Sequence, residues 1–225
     1  MSAVVPPRTA AGPLELRQLT RVEDGETLHA LLWRAGGGWR MVSSAVLGGG
    51  LGERSWVLNA QVSHGYRRTD PDRHLARLAA DAGEYGPGVG LMTAADVQAY
   101  GRAHDGGVHA VATAGLGVRG WAAAPAEGAC GQAPPGTVNI VVALPVALTD
   151  AALVNAVATA TEAKVQALLD AGYDCSGTPT DAVCVAARRP GGEAETVAFA
   201  GPRSVWGARL ARAVHGAVRA AAPGA

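Results

Sequence analysis

The 225-residue sequence lacks a net charge, since its 19 basic side chains balance its 19 acidic ones. Proteins that bind nucleic acids carry a basic surplus that replaces the counterions on phosphates, so this balance argues against a nucleic-acid partner. It also argues against a polybasic membrane anchor. Hydrophobic residues make up 48% of the chain, which is enough for one globular domain with a sizeable core.

Long apolar stretches are also missing, and we expect no secretory leader. The longest apolar run covers only residues 140–148, far short of the ~20 residues that a membrane-spanning helix needs. The opening residues show no charged region followed by an apolar one. The three cysteines, Cys130, Cys175 and Cys184, form no C-x-x-C pair, which favours reduced thiols over disulfides or a zinc site. We therefore expect a cytoplasmic protein with no membrane partner.

Most motifs of nucleotide-binding and hydrolytic enzymes are absent. The sequence contains no P-loop, no H-E-x-x-H and no G-x-S-x-G. Residues 115–120 satisfy G-x-G-x-x-G, but the following segment is rich in Ala, Gly and Pro. It cannot form the helix whose N-terminus would face a pyrophosphate. We therefore expect neither a dinucleotide nor a metal cofactor.

Apolar segments of strand length come first in the chain, and helices alternate with strands later. Strands are predicted at 14–20, 28–35, 39–46, 55–62, 88–92, 108–114, 138–144 and 180–187. Helices are predicted at 71–82, 150–171 and 204–221. The glycines at 48–50 are expected to end the first meander, and Thr93 is expected to begin a further helix. This order predicts a mixed α/β (α+β) single domain, with a mostly antiparallel mixed sheet and flanking helices.

Two segments stand apart from this pattern. Residues 1–13 are rich in proline and are expected to form a flexible arm that precedes a single domain at 14–222. Residues 115–136 form a long connection rich in Gly, Ala and Pro. Its length and composition fit either a flap that covers a substrate or a disordered loop.

Polar residues inside apolar segments are candidates for function. Asn139 lies in the apolar run 138–142, and Asn59 lies in the apolar run 55–62. A buried amide must find hydrogen-bond partners or cost a few kcal/mol. Asp181 stands at the start of an apolar strand. Each residue could also be structural, the amides as bridges between strands and the carboxylate as the cap of a turn.

Lysine is almost absent, because Lys164 is the only one beside 18 arginines. The helical period places it with Thr161 on an otherwise apolar face of the long helix, and Glu162 flanks that face. An ammonium group aimed inward needs a carboxylate partner, for which Asp181 is the candidate, or must lose its proton. Lys164 could therefore form a structural ion pair. Alternatively, it could donate a proton or stabilise an oxyanion.

Six short motifs follow one another in an order that matches a known family. They are VLNAQVSHGY around Asn59, GLMTAAD around Thr93, ATAG around Thr113, GTVNI around Asn139, TEAK ending at Lys164, and GTPTDA around Asp181. Together they resemble the adenosylcobinamide amidohydrolase family over nearly the whole chain. The resemblance assigns no role to His64 in the first motif.

This resemblance implies an enzyme of corrinoid salvage. Such enzymes hydrolyse the amide that joins aminopropanol to a propionate side chain of the corrin ring, and they release adenosylcobyric acid and 1-amino-2-propanol. The cobalt corrinoid is then a small-molecule substrate and not a cofactor. Two alternatives are a non-catalytic corrinoid carrier and an amidohydrolase with an unrelated substrate.

Amide hydrolysis needs a nucleophile, a stabiliser of the oxyanion and an acid for the leaving amine. One hypothesis uses a nucleophile activated by Asp181 or Glu162, with Lys164 as acid or oxyanion stabiliser. Another uses the hydroxyl of Thr161, which stands three residues before Lys164 in S-x-x-K spacing. The amide-rich edge of the corrin is expected to bind Asn59, Thr93, Thr113, Thr137, Asn139, Thr178 and Thr180.

Overall fold

The computed structural model describes residues 14–125, 136–191 and 196–222. The strands in these residues are β1 (Leu16–Glu23), β2 (Glu26–Trp33), β3 (Trp39–Ser43), β4 (Gly50–Glu53), β5 (Val57–Gln61), β6 (Val89–Thr93), β7 (Gly101–Asp105), β8 (Val108–Gly115), β9 (Thr137–Ala147) and β10 (Ala182–Arg188). The helices are α1 (Pro71–Asp81), α2 (Asp150–Asp170) and α3 (Val205–Ala221).

The strands divide between two sheets. One has the order β1-β2-β5-β6, and the other has the order β4-β3-β10-β9-β8-β7. Neighbouring strands are antiparallel except for the parallel pairs β5/β6 and β9/β10. The predicted mixed α/β class, mostly antiparallel and flanked by helices, is confirmed. The division into two sheets is a feature that the strand pattern did not reveal.

The two sheets pack face to face and helices cover their outer faces, giving four layers. Residues that alternate along β9 show this arrangement. Val141 and Ala143 face the other sheet, whereas Ile140 and Val142 face the layer of α2 and α3. Helix α1 covers the outer face of the smaller sheet through residues such as Leu75. Strand β9 is buried on both faces, as its nearly continuous apolar sequence predicted.

Two of the helices begin at side-chain caps. Thr149 precedes α2 and Ser204 precedes α3, and each hydroxyl accepts a hydrogen bond from the backbone N–H three residues later, at 3.1 and 3.0 Å. Asp70 directly precedes α1, but its side chain makes no cap hydrogen bond. The helices predicted at 71–82, 150–171 and 204–221 are confirmed, because helix-forming periodicity and start and stop residues are local features of the sequence.

Three details of the sequence prediction were wrong. Thr93 ends β6 and its hydroxyl accepts a hydrogen bond from Ala95 N at 3.0 Å, so a turn follows it and not a helix. The meander does not end at residues 48–50, because Gly50–Glu53 forms the edge strand β4. Gly101–Asp105 forms the other edge strand, β7, which was missed. Short edge strands rich in glycine and charge carry little apolar alternation.

Parts of two predictions lie outside the described residues. They are the arm at 1–13 and the stretch 126–135 of the long connection. None of the helices in the described part of the chain combines the length and the hydropathy that a bilayer span requires.

Candidate active site

The amino-terminal ends of the parallel strands β9 and β10 lie beside the C-terminal half of α2, and polar side chains collect there. Asp181 directly precedes β10, and Thr137 begins β9. Lys164 projects from α2 toward them. The side chains that could take part in a reaction therefore converge at this edge of the larger sheet.

Lys164 and Asp181 form an ion pair between Nζ and Oδ2. Their side chains are 9% and 12% exposed, so the pair is largely shielded from water. Shielded charges interact more strongly than charges on an open surface, and each one depends on the other for compensation. The carboxylate partner expected for the inward lysine is thus Asp181.

Further donors orient the Asp181 carboxylate. Its Oδ1 accepts a hydrogen bond from Val138 N at 2.8 Å, and its Oδ2 accepts one from Thr178 N at 3.2 Å. The Thr178 hydroxyl contacts Oδ1 and also lies 2.8 Å from the carbonyl oxygen of Gly136. One hydroxyl proton can serve only one of these acceptors at a time. The carboxylate is therefore fixed by β9, by the turn before β10 and by α2.

Gly177 makes room for this ion pair. Its φ is +151°, and a β-carbon built there would collide with the Asp181 carboxylate and with the Lys164 ammonium group. Only glycine fits both the backbone conformation and the space. Sequence reasoning did not single out Gly177 as a site residue; its position just before the T-P-T-D turn was the available signal.

A cavity of about 1070 Å³ opens over the ion pair. Thr161, Lys164 and Val165 of α2 form one wall. Residues between 117 and 125, and residues between 174 and 181, form the remainder. The ion pair is thus placed where a bound molecule can reach it.

Backbone contacts fasten the first of these loops to the second. Gly120 N donates to Gly177 O at 3.0 Å, and Ser176 N donates to Gly120 O at 3.0 Å. The Ser176 hydroxyl accepts a hydrogen bond from Ala122 N at 2.7 Å. Trp121 lies between these anchors and is 46% exposed. The described part of the 115–136 connection is therefore a wall of the cavity.

A second polar cluster is buried between the two sheets. Asn139 Nδ2 donates to Asn59 Oδ1 at 2.8 Å and to Met92 O at 3.0 Å. Asn59 Nδ2 in turn donates to Thr113 Oγ1 at 3.0 Å. Asn139 Oδ1 is buried without a hydrogen-bond partner among the described residues. These residues bridge the two sheets. Their contacts therefore agree with the structural role, a bridge between strands, that the sequence analysis offered for the buried amides.

Two threonines connect the clusters. Thr137 lies two residues before Asn139 on β9, so their side chains share a face of the strand. The hydroxyls of Thr137 and Thr180 are 2.6 Å apart, and Thr180 Oγ1 donates to Gly136 O at 3.0 Å. The start of β9 is thereby tied to the turn that carries Asp181.

Of the predicted catalytic residues, the structure brings three to the cavity and leaves one outside. Lys164, Asp181 and Thr161 line it, whereas Glu162 is exposed and is not a lining residue. Thr161 Oγ1 donates to Val157 O at 2.9 Å, which occupies the hydroxyl proton within the helix. Among the predicted binding residues, Thr178 lines the cavity, Thr137 and Thr180 adjoin it, and Asn59, Thr93, Thr113 and Asn139 are buried behind it.

Of the two thiols in the described residues, Cys175 is the one beside the site, and it is fully buried. Burial raises the pKa of this thiol, and a hydrogen bond from the Gly177 backbone only partly opposes that effect. A thiol with a raised pKa stays protonated near neutral pH and is a poor nucleophile. Within residues 14–125, 136–191 and 196–222, no three metal-binding side chains of His, Cys, Asp or Glu come together.

The arrangement has the parts that polar bond cleavage needs. A carboxylate can accept a proton from water, and an ammonium group beside it can stabilise a developing oxyanion or protonate a leaving group. Both groups stand at the wall of one cavity.

Comparisons of the sequence with known proteins identify one family. Residues 14–224 match the sequence profile of the adenosylcobinamide amidohydrolase family. An adenosylcobinamide amidohydrolase of Methanosarcina mazei is 32% identical over 163 residues, which are 72% of this chain and 72% of that protein. One of Halobacterium salinarum is 51% identical over 90 residues, 40% of this chain and 37% of that protein. A crystal structure of a Pyrococcus horikoshii OT3 protein is 12% identical in sequence and has a TM-score of 0.47. The match covers 92% of this chain and 82% of that one.

Proposed function

Because the chain belongs to the adenosylcobinamide amidohydrolase family and is an amide hydrolase, we propose that it cleaves the aminopropanol amide of adenosylcobinamide. The products are adenosylcobyric acid and 1-amino-2-propanol. The observation that carries this proposal is the shielded ion pair of Lys164 and Asp181 in the wall of a large cavity.

The size of the cavity supports a bulky substrate. Its volume of about 1070 Å³ lies at the upper limit of the ~300–1,000 Å³ typical of small-molecule sites. It opens to solvent between α2 and the two loops, so the corrin edge that carries the amide can enter while the rest of the ring stays outside.

Binding begins at Lys164. The carbonyl oxygen of the scissile amide approaches the ammonium group and draws it away from Asp181 Oδ2. Since Val138 N and Thr178 N still hold the carboxylate, Asp181 keeps its orientation while Oδ2 becomes available. A water molecule then donates a hydrogen bond to Oδ2 and faces the carbonyl carbon.

Attack and collapse follow with the protons balanced. Asp181 accepts a proton from the attacking water, and Lys164 stabilises the oxyanion on the tetrahedral carbon. The C–N bond breaks as Lys164 gives a proton to the departing nitrogen. The proton on Asp181 then passes to the neutral lysine, which restores the ion pair and leaves the carboxylic acid product.

The polar residues around the pair divide into two roles in this proposal. Thr178 lines the cavity and Thr180 is exposed beside it, and their oxygens bind the neutral amides of the corrin edge. Asn59, Thr113 and Asn139 brace the two sheets behind β9. The brace keeps the start of β9, and therefore the Asp181 contact, in place.

The proposal uses no cofactor, since cobalt belongs to the corrinoid substrate. It places the reaction in the cytoplasm, where free thiols remain reduced. Both described cysteines, Cys175 and Cys184, are free and buried.

The test is incubation of the purified protein with adenosylcobinamide, followed by chromatography and mass spectrometry of the products. Release of adenosylcobyric acid and 1-amino-2-propanol in equal amounts is the expected result. Tight binding without turnover would instead identify a corrinoid carrier, and neither binding nor turnover would point to another amide substrate.

A further inference from the structure

We propose that Trp121 stacks on the adenine of the substrate's adenosyl group and makes this cavity select adenosylated corrinoids. The proposal deepens the function proposed above and rests on it. It assigns a binding role to a residue of the cavity wall that is separate from the residues that carry out hydrolysis.

The backbone of Trp121 is held on both sides. Gly120 before it and Ala122 after it are hydrogen-bonded to Ser176 and Gly177. The carbonyl oxygen of Trp121 accepts a hydrogen bond from Ala124 N at 3.0 Å, which closes a turn. An aromatic ring whose backbone is already fixed loses little conformational entropy when it binds a ligand.

The loop before Trp121 is anchored as well. Arg119 donates from Nη1 to Leu116 O at 3.0 Å, and its guanidinium lies 5.2 Å from the centre of the Tyr173 ring. Arg119 thus closes a contact within the loop and joins the loop to the segment that follows α2. The indole, 46% exposed, remains available above them.

Adenine is the part of the substrate that is best suited to stack on the Trp121 ring. Among the described residues that line the cavity, Trp121 is the only aromatic one. The faces of a corrin carry an axial ligand, methyl groups and amide side chains on saturated carbons, so they offer no open aromatic surface. Adenine is the one flat aromatic group of adenosylcobinamide, and base stacking on an indole is favourable.

Trp121 is also connected through the backbone to the ion pair. Its neighbour Gly120 donates a hydrogen bond to the carbonyl oxygen of Gly177, which directly precedes Thr178 and lies beside Lys164 and Asp181. An indole at this point contacts a group attached to cobalt while a side chain of the same ring reaches Lys164. The loop of Trp121 thus binds the upper ligand, while Lys164 of α2 and Asp181 carry out the hydrolysis.

The experiment compares Trp121→Ala, Trp121→Phe and wild type by titration with adenosylcobinamide and with cyanocobinamide, which lacks adenine. We expect Trp121→Ala to raise the Kd for adenosylcobinamide about tenfold or more and to change that for cyanocobinamide less than twofold. Trp121→Phe should retain most of the affinity. Free 5′-deoxyadenosine should compete with adenosylcobinamide on wild type and more weakly on Trp121→Ala. Phe199→Ala, at an aromatic side chain that is 74% exposed, is the control and should match wild type.

Three outcomes would overturn the proposal: equal losses for both corrinoids in Trp121→Ala, no loss for either, or no competition by 5′-deoxyadenosine. Stopped-flow mixing follows each titration before the first turnover, so it measures binding and not hydrolysis. A wild-type protein that binds adenosylcobinamide without cleaving it would contradict the proposed hydrolysis and leave this test intact. A wild-type protein that binds neither corrinoid contradicts both proposals.

Discussion

Asn139 donates a hydrogen bond from Nδ2 to Oδ1 of Asn59 at 2.8 Å, and this contact joins the two sheets. Asn139 is 1% exposed and Asn59 is 5% exposed, so water cannot replace the bond. The orientation of the Asn139 amide is fixed, because its nitrogen also faces the carbonyl oxygen of Met92. This bridge stands directly behind the strand end that supports the candidate active site.

Replacing Asn139 by alanine should therefore destabilise the whole fold. Asn59 Oδ1 and Met92 O would lose their donor, and each unsatisfied buried group costs about 1–3 kcal/mol. We expect the free energy of unfolding to fall by about 2–4 kcal/mol. Urea denaturation followed by circular dichroism measures it. Asn155→Ala removes an exposed side chain whose Oδ1 accepts a hydrogen bond from Ala200 N, and it should cost less than ~1.5 kcal/mol; equal losses would contradict the role of the bridge.

Neutralising either member of the ion pair should abolish most of the hydrolysis. Lys164→Met removes the acid and Asp181→Asn removes the base, and each such loss lowers kcat by about 10²–10⁴-fold. Lys164→Arg should also fail, because a guanidinium does not release its proton. Steady-state kinetics with adenosylcobinamide and a circular dichroism spectrum of each variant provide the test. Glu53→Gln, which breaks the exposed pair with Arg189, is the control. Activity near wild type in folded Asp181→Asn would refute the mechanism.

Two threonines near the pair should respond differently to substitution. The Thr161 hydroxyl is bonded to Val157 O, so Thr161→Ala should keep kcat within about twofold of wild type. The Thr178 hydroxyl contacts Asp181, so Thr178→Ala should lower kcat/KM by about tenfold and Thr178→Ser should restore it. A covalent acyl-enzyme on Thr161, detected by mass spectrometry after rapid quenching, would show that the S-x-x-K hypothesis was the right one.

A methyl group at Gly177 should separate the ion pair. Gly177→Ala places a β-carbon against both Lys164 and Asp181, and we expect kcat to fall by at least about tenfold. Gly172→Ala is the matched control, since Gly172 also has a positive φ, +84°, but nothing lies within 4 Å of its added β-carbon. Both variants should lose some stability from backbone strain. Equal activity in the two would show that the collision has no effect on catalysis.

Acid should weaken the fold through His74. This imidazole is 3% exposed, and it lies 3.1 Å from Tyr66 Oη and 3.1 Å from Glu23 Oε1. Burial lowers its pKa, and the Glu23 carboxylate opposes that effect only in part. The unfolded chain thus takes up the proton at higher pH, so stability is full above about 6.5 and declines as the pH falls below it.

Urea denaturation at a series of pH values measures this dependence. His74→Gln should be less stable at pH 7.5 and should lose less stability than wild type between pH 6.5 and 5. A decline of the same size in the variant would assign the acid sensitivity to other groups.

Much of the fold could be predicted from local patterns. The caps of α2 and α3 and the apolar run of β9 depend on neighbouring residues, so their elements were found. The edge strands Gly50–Glu53 and Gly101–Asp105 were not found, because pairing with a neighbouring strand defines them and their own sequence carries little alternation. Thr93 resembled a helix cap because the same hydroxyl contact also closes a turn.

The candidate site, like the fold, could be predicted from the sequence only in part. The lone lysine, the carboxylate at a strand end and the amides inside apolar runs are visible in the sequence, since a polar residue in an apolar setting is a local anomaly. Glu162 was included by the same reasoning, although the helix turns it to solvent. Gly177 was missed because its importance depends on two side chains that approach it in space.

By itself, the sequence determined the positions of the main helices and strands, the mixed α/β class and the family, because periodicity, caps and ordered motifs all lie within short stretches of chain. Only the tertiary structure decided that the strands form two sheets, that Asn59 meets Asn139 between them, and that Lys164 meets Asp181 beside Gly177. Those contacts arise when α2 packs on the larger sheet and the sheets pack on each other. No local pattern encodes the distance between residues far apart in the chain.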